Sequence, residues 1–176
     1  DRIIQLQPDY AEAYNNRGNV LKELGQLEKA VASYARAIQL KPGYIAAYNN
    51  RGNVLKKLGK LEEAVGCYNK VIQLQPDYAE AYSNRGLALQ DLEKWAEAVE
   101  SYDKSIQLKP DYVEAYSNRG IALQKLEQPI EAIKSCDKAI QLKPDYVKAY
   151  YNRGIIFESL GQLAQAMESY VLAIQF

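Results

Sequence analysis

Amides are the residues best placed to do chemistry in this chain. Asparagine recurs at Asn16, Asn50, Asn84, Asn118 and Asn152, always 34 residues apart. A carboxamide is donor and acceptor at once, so one side chain can bond both the N–H and the C=O of a peptide unit. A row of such amides on one surface would hold an extended backbone with little demand on its sequence. An arginine follows each one, at Arg17, Arg51, Arg85, Arg119 and Arg153. The two thiols, Cys67 and Cys136, are too few for a zinc site or a disulfide framework. The chain has no histidine, which removes Ser-His-Asp and Cys-His catalysis and His-ligated zinc. It has no glycine-rich phosphate loop and no metal-ligand cluster, so neither an enzyme activity nor a cofactor is expected. Lys and Arg number 22 and Asp and Glu number 22, a balance that argues against a dedicated nucleic-acid or anionic-membrane binder. No apolar run is long enough to cross a bilayer.

These residues sit in a unit copied without insertion or deletion. Ala13 to Gly18 reads AYNNRG, and the string returns at 47–52 and, with one or two changes, at 81–86, 115–120 and 149–154. The units are 11–44, 45–78, 79–112, 113–146 and a shorter 147–176, with residues 1–10 matching the end of an upstream unit's second helix. Positions within a unit are counted below from residues 11, 45, 79, 113 and 147. The start, Asp1-Arg2-Ile3-Ile4, reads as mid-helix and suggests a piece of something longer. Each unit predicts two helices. Asp9/Glu12, Asp77/Glu80 and Asp111/Glu114 have the spacing of a capping box. The first helix runs about 14 residues to Gly25, Gly59 or Gly161, a C-terminal glycine signal that Glu93 and Glu127 replace in units three and four. The second helix ends just before Pro42, Pro76, Pro110 or Pro144, and Pro129 falls in the first turn of one.

Small residues recur where two helices must meet. Glycine holds position 8 and alanine position 20 in every unit, while the Tyr14, Leu24 and Ile38 series fill the facing holes. A mid-helix glycine costs about 1 kcal/mol against alanine, so its repetition at one position points to close helix contact. Tyr at 4, Gly at 8, Leu at 11, Ala at 20, Tyr at 24, a small residue at 27 and Pro at 32 resemble the tetratricopeptide repeat. The departures are Cys136 at position 24 and Ser105 and Val71 at position 27. The resemblance implies an all-α fold: a right-handed superhelical solenoid of antiparallel helix pairs with a 34-residue repeat, whose first helices line the concave face.

With about 100° of turn per residue, positions 2, 6, 9 and 13 of the first helix share one direction, flanked by 5 and 12. That face is expected to bind peptide. It carries the five asparagines, then Asn19, Asn53, Leu87, Ile121 and Ile155 at position 9, Lys22 and Lys56 at position 12, and Tyr151 at position 5. The asparagine row is similar to the ladder in the tetratricopeptide arm of O-linked N-acetylglucosamine transferase, which contacts bound peptide. The carboxylate clamp for acidic chaperone tails does not match: Asn15, Asn19, Asn50, Glu80 and Asn84 supply two of its five residues, as do Ser83, Leu87, Asn118, Lys148 and Asn152. The face is polar and mildly basic at one end and apolar at the other, as a ligand of graded polarity would require. Position 7 lies in the opposite, apolar arc, so its arginines read as structural, bonded to carbonyls or acids of a neighbouring helix. Cys67 reads as a small packing residue and Cys136 as a core replacement.

The expected function is a non-catalytic protein–protein interaction module that holds an extended peptide or partner segment in its concave groove. The rivals are a structural spacer or self-assembling scaffold, and the recognition arm of a larger enzyme. The expected partner is a protein or peptide, with no nucleic acid and no membrane insertion, in a cytoplasmic compartment. Ile3, Ile4 and Leu6 at one end and Leu163, Met167, Tyr170 and Ile174 at the other read as uncapped apolar surfaces, suited to weak head-to-tail self-association.

Overall fold

The computed structural model describes residues 9–176, and the helical tail expected at 1–8 lies outside them. Ten helices, and no strands, occur among the described residues. The first helices are α1 (Ala11–Glu23), α3 (Ile45–Lys57), α5 (Ala79–Asp91), α7 (Val113–Lys125) and α9 (Val147–Ser159). The second helices are α2 (Leu27–Leu40), α4 (Leu61–Leu74), α6 (Trp95–Leu108), α8 (Pro129–Leu142) and α10 (Leu163–Gln175). The first helices begin 34 residues apart, as the repeat requires.

Two compact units divide at Ala88/Leu89. In the first, α1 pairs with α2 and α3 with α4, and α3 also packs on α1 and α2. Its core holds Ala30, Tyr34 and Val54 in one cluster and Leu55, Ala64, Cys67, Tyr68 and Ala88 in another. In the second, α7 pairs with α8 and α9 with α10, and α9 also packs on α7 and α8. Leu123, Ala132, Cys136 and Ile156 form its cluster. The arrangement is an all-α repeat of helix pairs.

Position 8 shows why glycine is needed. A Cβ on Gly18 would stand 2.5 Å from the Tyr34 ring, and one on Gly154 2.5 Å from the Tyr170 ring. Where Cys136 replaces the tyrosine, the Gly120 Cβ would still meet its Sγ at 2.7 Å and the Ala132 carbonyl at 3.1 Å. The turn between paired helices closes the same way with or without glycine. Gly25, Gly59 and Gly161 have φ near +71°, and Glu93 and Glu127 adopt φ of 58° in their place. The amides of Gln26 and Lys94 then donate to the carbonyls of Leu21 and Leu89 at 2.9 and 2.8 Å. Second helices stop at Leu40, Leu74, Leu108 and Leu142, because the residue before each proline is forced out of the α region. Pro129 opens α8 as expected.

Two expectations need correction. The capping box does not form at α1 or α7, whose cap positions fall on Tyr10 and Tyr112 without a side-chain bond. These helices start one residue later than the box requires, which leaves Asp9 and Asp111 out of reach of the first amides. Glu12 pairs instead with Lys41 at 2.8 Å, and that bond holds its carboxyl below the ordinary range. The leucines of position 14 are not uniformly core. Leu58 packs on the cluster that Ala30 and Tyr34 of the previous repeat form with Val54 of its own, whereas Leu24 is 64% exposed. The side chain reaches back to the preceding second helix rather than into its own pair.

Candidate functional site: the first-helix faces

Position 6 leans toward the preceding first helix, so most of the asparagines join neighbouring repeats. In the first unit, Asn50 Nδ2 donates to Oδ1 of Asn15 and of Asn19, at 3.1 and 3.2 Å, and Asn84 Nδ2 donates to Asn49 Oδ1 at 3.4 Å. In the second, Asn152 Nδ2 donates to the Ser117 carbonyl and hydroxyl at 3.1 and 3.0 Å. Asn118 Oδ1 accepts from Lys148 at 2.7 Å. Exposure follows: Asn118 and Asn152 are both 4% exposed, Asn50 and Asn84 are half-buried, and Asn16 is open to solvent. Position 5 is buried with them at Asn15, Ser83 and Ser117, but Tyr151 stands 54% exposed. The open part of each face is therefore formed by positions 2, 9, 12 and 13.

Positions 9 and 12 are linked to the core through the tyrosine of position 24. The Tyr34 and Tyr68 hydroxyls donate to Asn19 Oδ1 and Asn53 Oδ1, both at 2.8 Å. Where position 9 is aliphatic, the acceptor shifts one turn. Tyr102 donates to Gln90 Oε1 at 3.1 Å, and Tyr170 donates to Glu158 Oε2 at 2.6 Å. The part-buried hydroxyls of Tyr34, Tyr68 and Tyr102 need one acceptor each, and either position can supply it. In the first two repeats position 12 is thereby released and carries Lys22 and Lys56. Lys22 pairs with Glu23 at 3.0 Å, and no bond or ion pair of Lys56 is found among the described residues. In the second unit the face holds Ile121 and Ile155, half-buried beside Gln124. A trough of about 520 Å³ opens between α9 and α10, lined by Tyr151, Glu158, Tyr170, Ala173 and Ile174 among others.

The arginines of position 7 tie second helices together, and their partners are on those helices. Arg119 bonds Ser135 Oγ at 2.7 Å within its own pair and Asp103 on the preceding second helix. Arg153 repeats this with Ser169 at 3.1 Å and Asp137 at 2.8 Å. Arg17 reaches Ser33 at 3.3 Å, and Arg85 reaches Asn69 at 3.2 Å. Arg51 differs. Its position-23 neighbour is Cys67, its ion pair with Glu63 is long at 3.6 Å, and its buried Nε has no partner. The partners at positions 23 and 25 lie 16 residues either side of the arginine, a spacing visible in the sequence but unread there. Both cysteines are buried and free, and burial pushes the Cys136 thiol up to about 12. No group of His, Cys, Asp or Glu among the described residues could hold a metal ion, and none of their helices is long and apolar enough to cross a membrane.

A 34-residue helix pair closed by a position-8 glycine on a position-24 aromatic defines a class of repeat protein. Family models described as TPR repeat match residues 18–59, 52–93 and 91–127, and models described as tetratricopeptide repeat match 113–146, 1–32 and 135–168. The chain belongs to the tetratricopeptide repeat family. No curated protein sequence matches it. Among solved structures it is similar to MamA from Desulfovibrio magneticus RS-1, at 22% identity and a TM-score of 0.85 over 94% of this chain and 93% of that one. It is also similar to YrrB, described as a TPR protein with an unusual peptide-binding site, at 24% identity and a TM-score of 0.79 over 99% and 90% of the two chains. PilF of Pseudomonas aeruginosa matches at 19% identity and a TM-score of 0.81, over 94% of this chain and 75% of that one. These likenesses are of fold.

Proposed function

We propose that the chain is a non-catalytic interaction module that holds an extended peptide or partner segment on its first-helix faces. The observation that carries this reading is the set of polar groups that packing leaves uncommitted there. Asn50 and Asn84, both half-buried, each donate through Nδ2 to a neighbouring helix, which orients the amide and leaves Oδ1 as an acceptor for a peptide N–H. Asn16 is exposed, and Lys56 occupies a position that the fold does not require to be charged. The ladder is thus read as a row of fixed acceptors rather than of two-way amides. Asn19, Asn53, Lys22 and Lys56 border it in the first unit. Leu87 is the aliphatic residue of position 9 in the first unit, and Ile121, Ile155 and Tyr151 lie on the faces of the second. The peptide-binding site named for YrrB belongs to that protein, and it supports the choice of ligand class here.

The test is a peptide-array screen with the whole chain, followed by Asn16→Ala and Lys56→Ala on any hit. Each lost bond should weaken binding by about 0.5–1.5 kcal/mol while helicity stays unchanged. An array without hits, or hits indifferent to both substitutions, would refute the assignment.

A further inference from the structure

The junction between the first and second repeats and that between the fourth and fifth each have a seat and an insert. The seat is the pocket between the two helices of one repeat. The insert is the next first helix, which enters with an asparagine at position 6 and an aliphatic residue at position 10. In the first unit, α3 brings Asn50 to Asn15 and buries Val54 completely against Ala30 and Tyr34. In the second, α9 brings Asn152 to Ser117 and buries Ile156 completely against Cys136.

The described residues also hold one unfilled insert and one unfilled seat. On α1, Asn16 is exposed and Val20, the counterpart of Val54 and Ile156, is 59% exposed, with Leu24 beside it at 64%. At α9 and α10 the trough of about 520 Å³ is bounded by Tyr170 and Ala173, the counterparts of Tyr34 and Ala37 in the occupied seat of the first unit. Ile174 on its rim is 84% exposed and Met167 65%. Both faces match the halves of a contact that the chain already makes with itself, residue for residue at positions 6, 10, 20, 24 and 27.

We propose that α1 of a second copy of this chain docks into the α9–α10 trough, with Val20 against Tyr170 and Ala173 and the Asn16 amide at the Tyr151 carbonyl. The contact is heterologous, so each added copy presents a fresh seat. It shares Asn16 and Tyr151 with the peptide-binding reading but rests on Val20, Tyr170 and Ala173, which that reading does not use.

Two substitutions at exposed sites test it, each blocking one half. Val20→Glu removes the insert and keeps the seat; Ile174→Glu removes the seat and keeps the insert. By sedimentation across a wide concentration range, the wild-type chain should gain mass steadily. Each variant should associate at least about tenfold more weakly, because the contact would bury an unpaired carboxylate. Mixing the two variants should restore association but stop at a 1:1 pair, since one sound insert meets one sound seat. Ala173→Glu should behave as Ile174→Glu does, and circular dichroism should match the wild type in all three. A wild-type chain that stays monomeric overturns the proposal. So do variants that still associate, or a mixture that remains monomeric, which would reserve the trough for some other helix.

Discussion

Cys67→Ser should stabilise the protein. Arg51 is the one position-7 arginine whose buried Nε lacks a partner among the described residues. In three other repeats a serine hydroxyl at position 23 bonds the guanidinium, at 3.3, 2.7 and 3.1 Å. The Cys67 thiol, 4% exposed, lies against the guanidinium of Arg51, but sulfur is a weak acceptor. A hydrogen bond to a charged group contributes about 1.5–3 kcal/mol. Burying a hydroxyl where a thiol packed well costs about 1 kcal/mol on the lower scales. The net gain is about 1 kcal/mol, or a rise of about 2–4 °C in Tm for a chain of this size. Thermal unfolding followed at 222 nm measures it, with Ser135→Cys as the reciprocal change and a loss of similar size expected. Adding Arg51→Met to Cys67→Ser should erase the gain, because the donor is gone. A Cys67→Ser variant no more stable than wild type, alongside a neutral Ser135→Cys, would show that the hydroxyl–guanidinium bond contributes nothing.

Glu93→Gly and Glu127→Gly should each raise stability by about 1 kcal/mol by urea unfolding, since both glutamates hold φ of 58°, where glycine carries no Cβ penalty. Asn152→Ala should cost about 1–3 kcal/mol through its two bonds to Ser117, while Asn16→Ala, exposed, should stay within about 0.5 kcal/mol of wild type. Alkali should destabilise the fold: burial raises Tyr34 from 10.0 to about 12 and Cys136 from 9.0 to about 12. Between those values the unfolded chain has released protons that the folded one retains, so the urea midpoint should fall as pH rises from 9 to 12, and a flat profile would contradict the burial.

The helix pairs were legible because their signals are local. Glycine at position 8, alanine at 20 and proline at 32 each act through sterics that a period of 34 displays five, five and four times. The capping box was misread because Asp9–Glu12 has the right spacing whether or not the helix begins at Asp9, and one residue of slip puts Asp9 outside. The first-helix face was legible in direction but not in depth. A helical wheel treats each helix as a lone cylinder, and the burial of Asn118 and Asn152 comes from the neighbouring first helix, which no wheel contains. The arginines were legible as structural by their place in the apolar arc. Their partners were not, because Asp103 and Asp137 lie on the second helix of the repeat before.

The change in character along the first-helix faces has an internal cause before it has an external one. Asn19 and Asn53 at position 9, with lysine at 12, give way to Leu87 and Ile155 at position 9, with Gln90 and Glu158 at 12. Read as a surface, this is a gradient from polar to apolar. The bonds show a single constraint, that the position-24 hydroxyl must find an acceptor, met at position 9 in Tyr34 and Tyr68 and at position 12 in Tyr102 and Tyr170. In the fourth repeat Cys136 has no hydroxyl to place, so the constraint does not apply to Ile121 and Gln124. Whichever of the two positions does not serve the tyrosine is free to serve a ligand. In the first two repeats that position is 12, and it is lysine; in the third and fifth it is 9, and it is aliphatic. In the four repeats that have it, the position-24 tyrosine therefore marks which of the two positions carries its acceptor and which is left to vary.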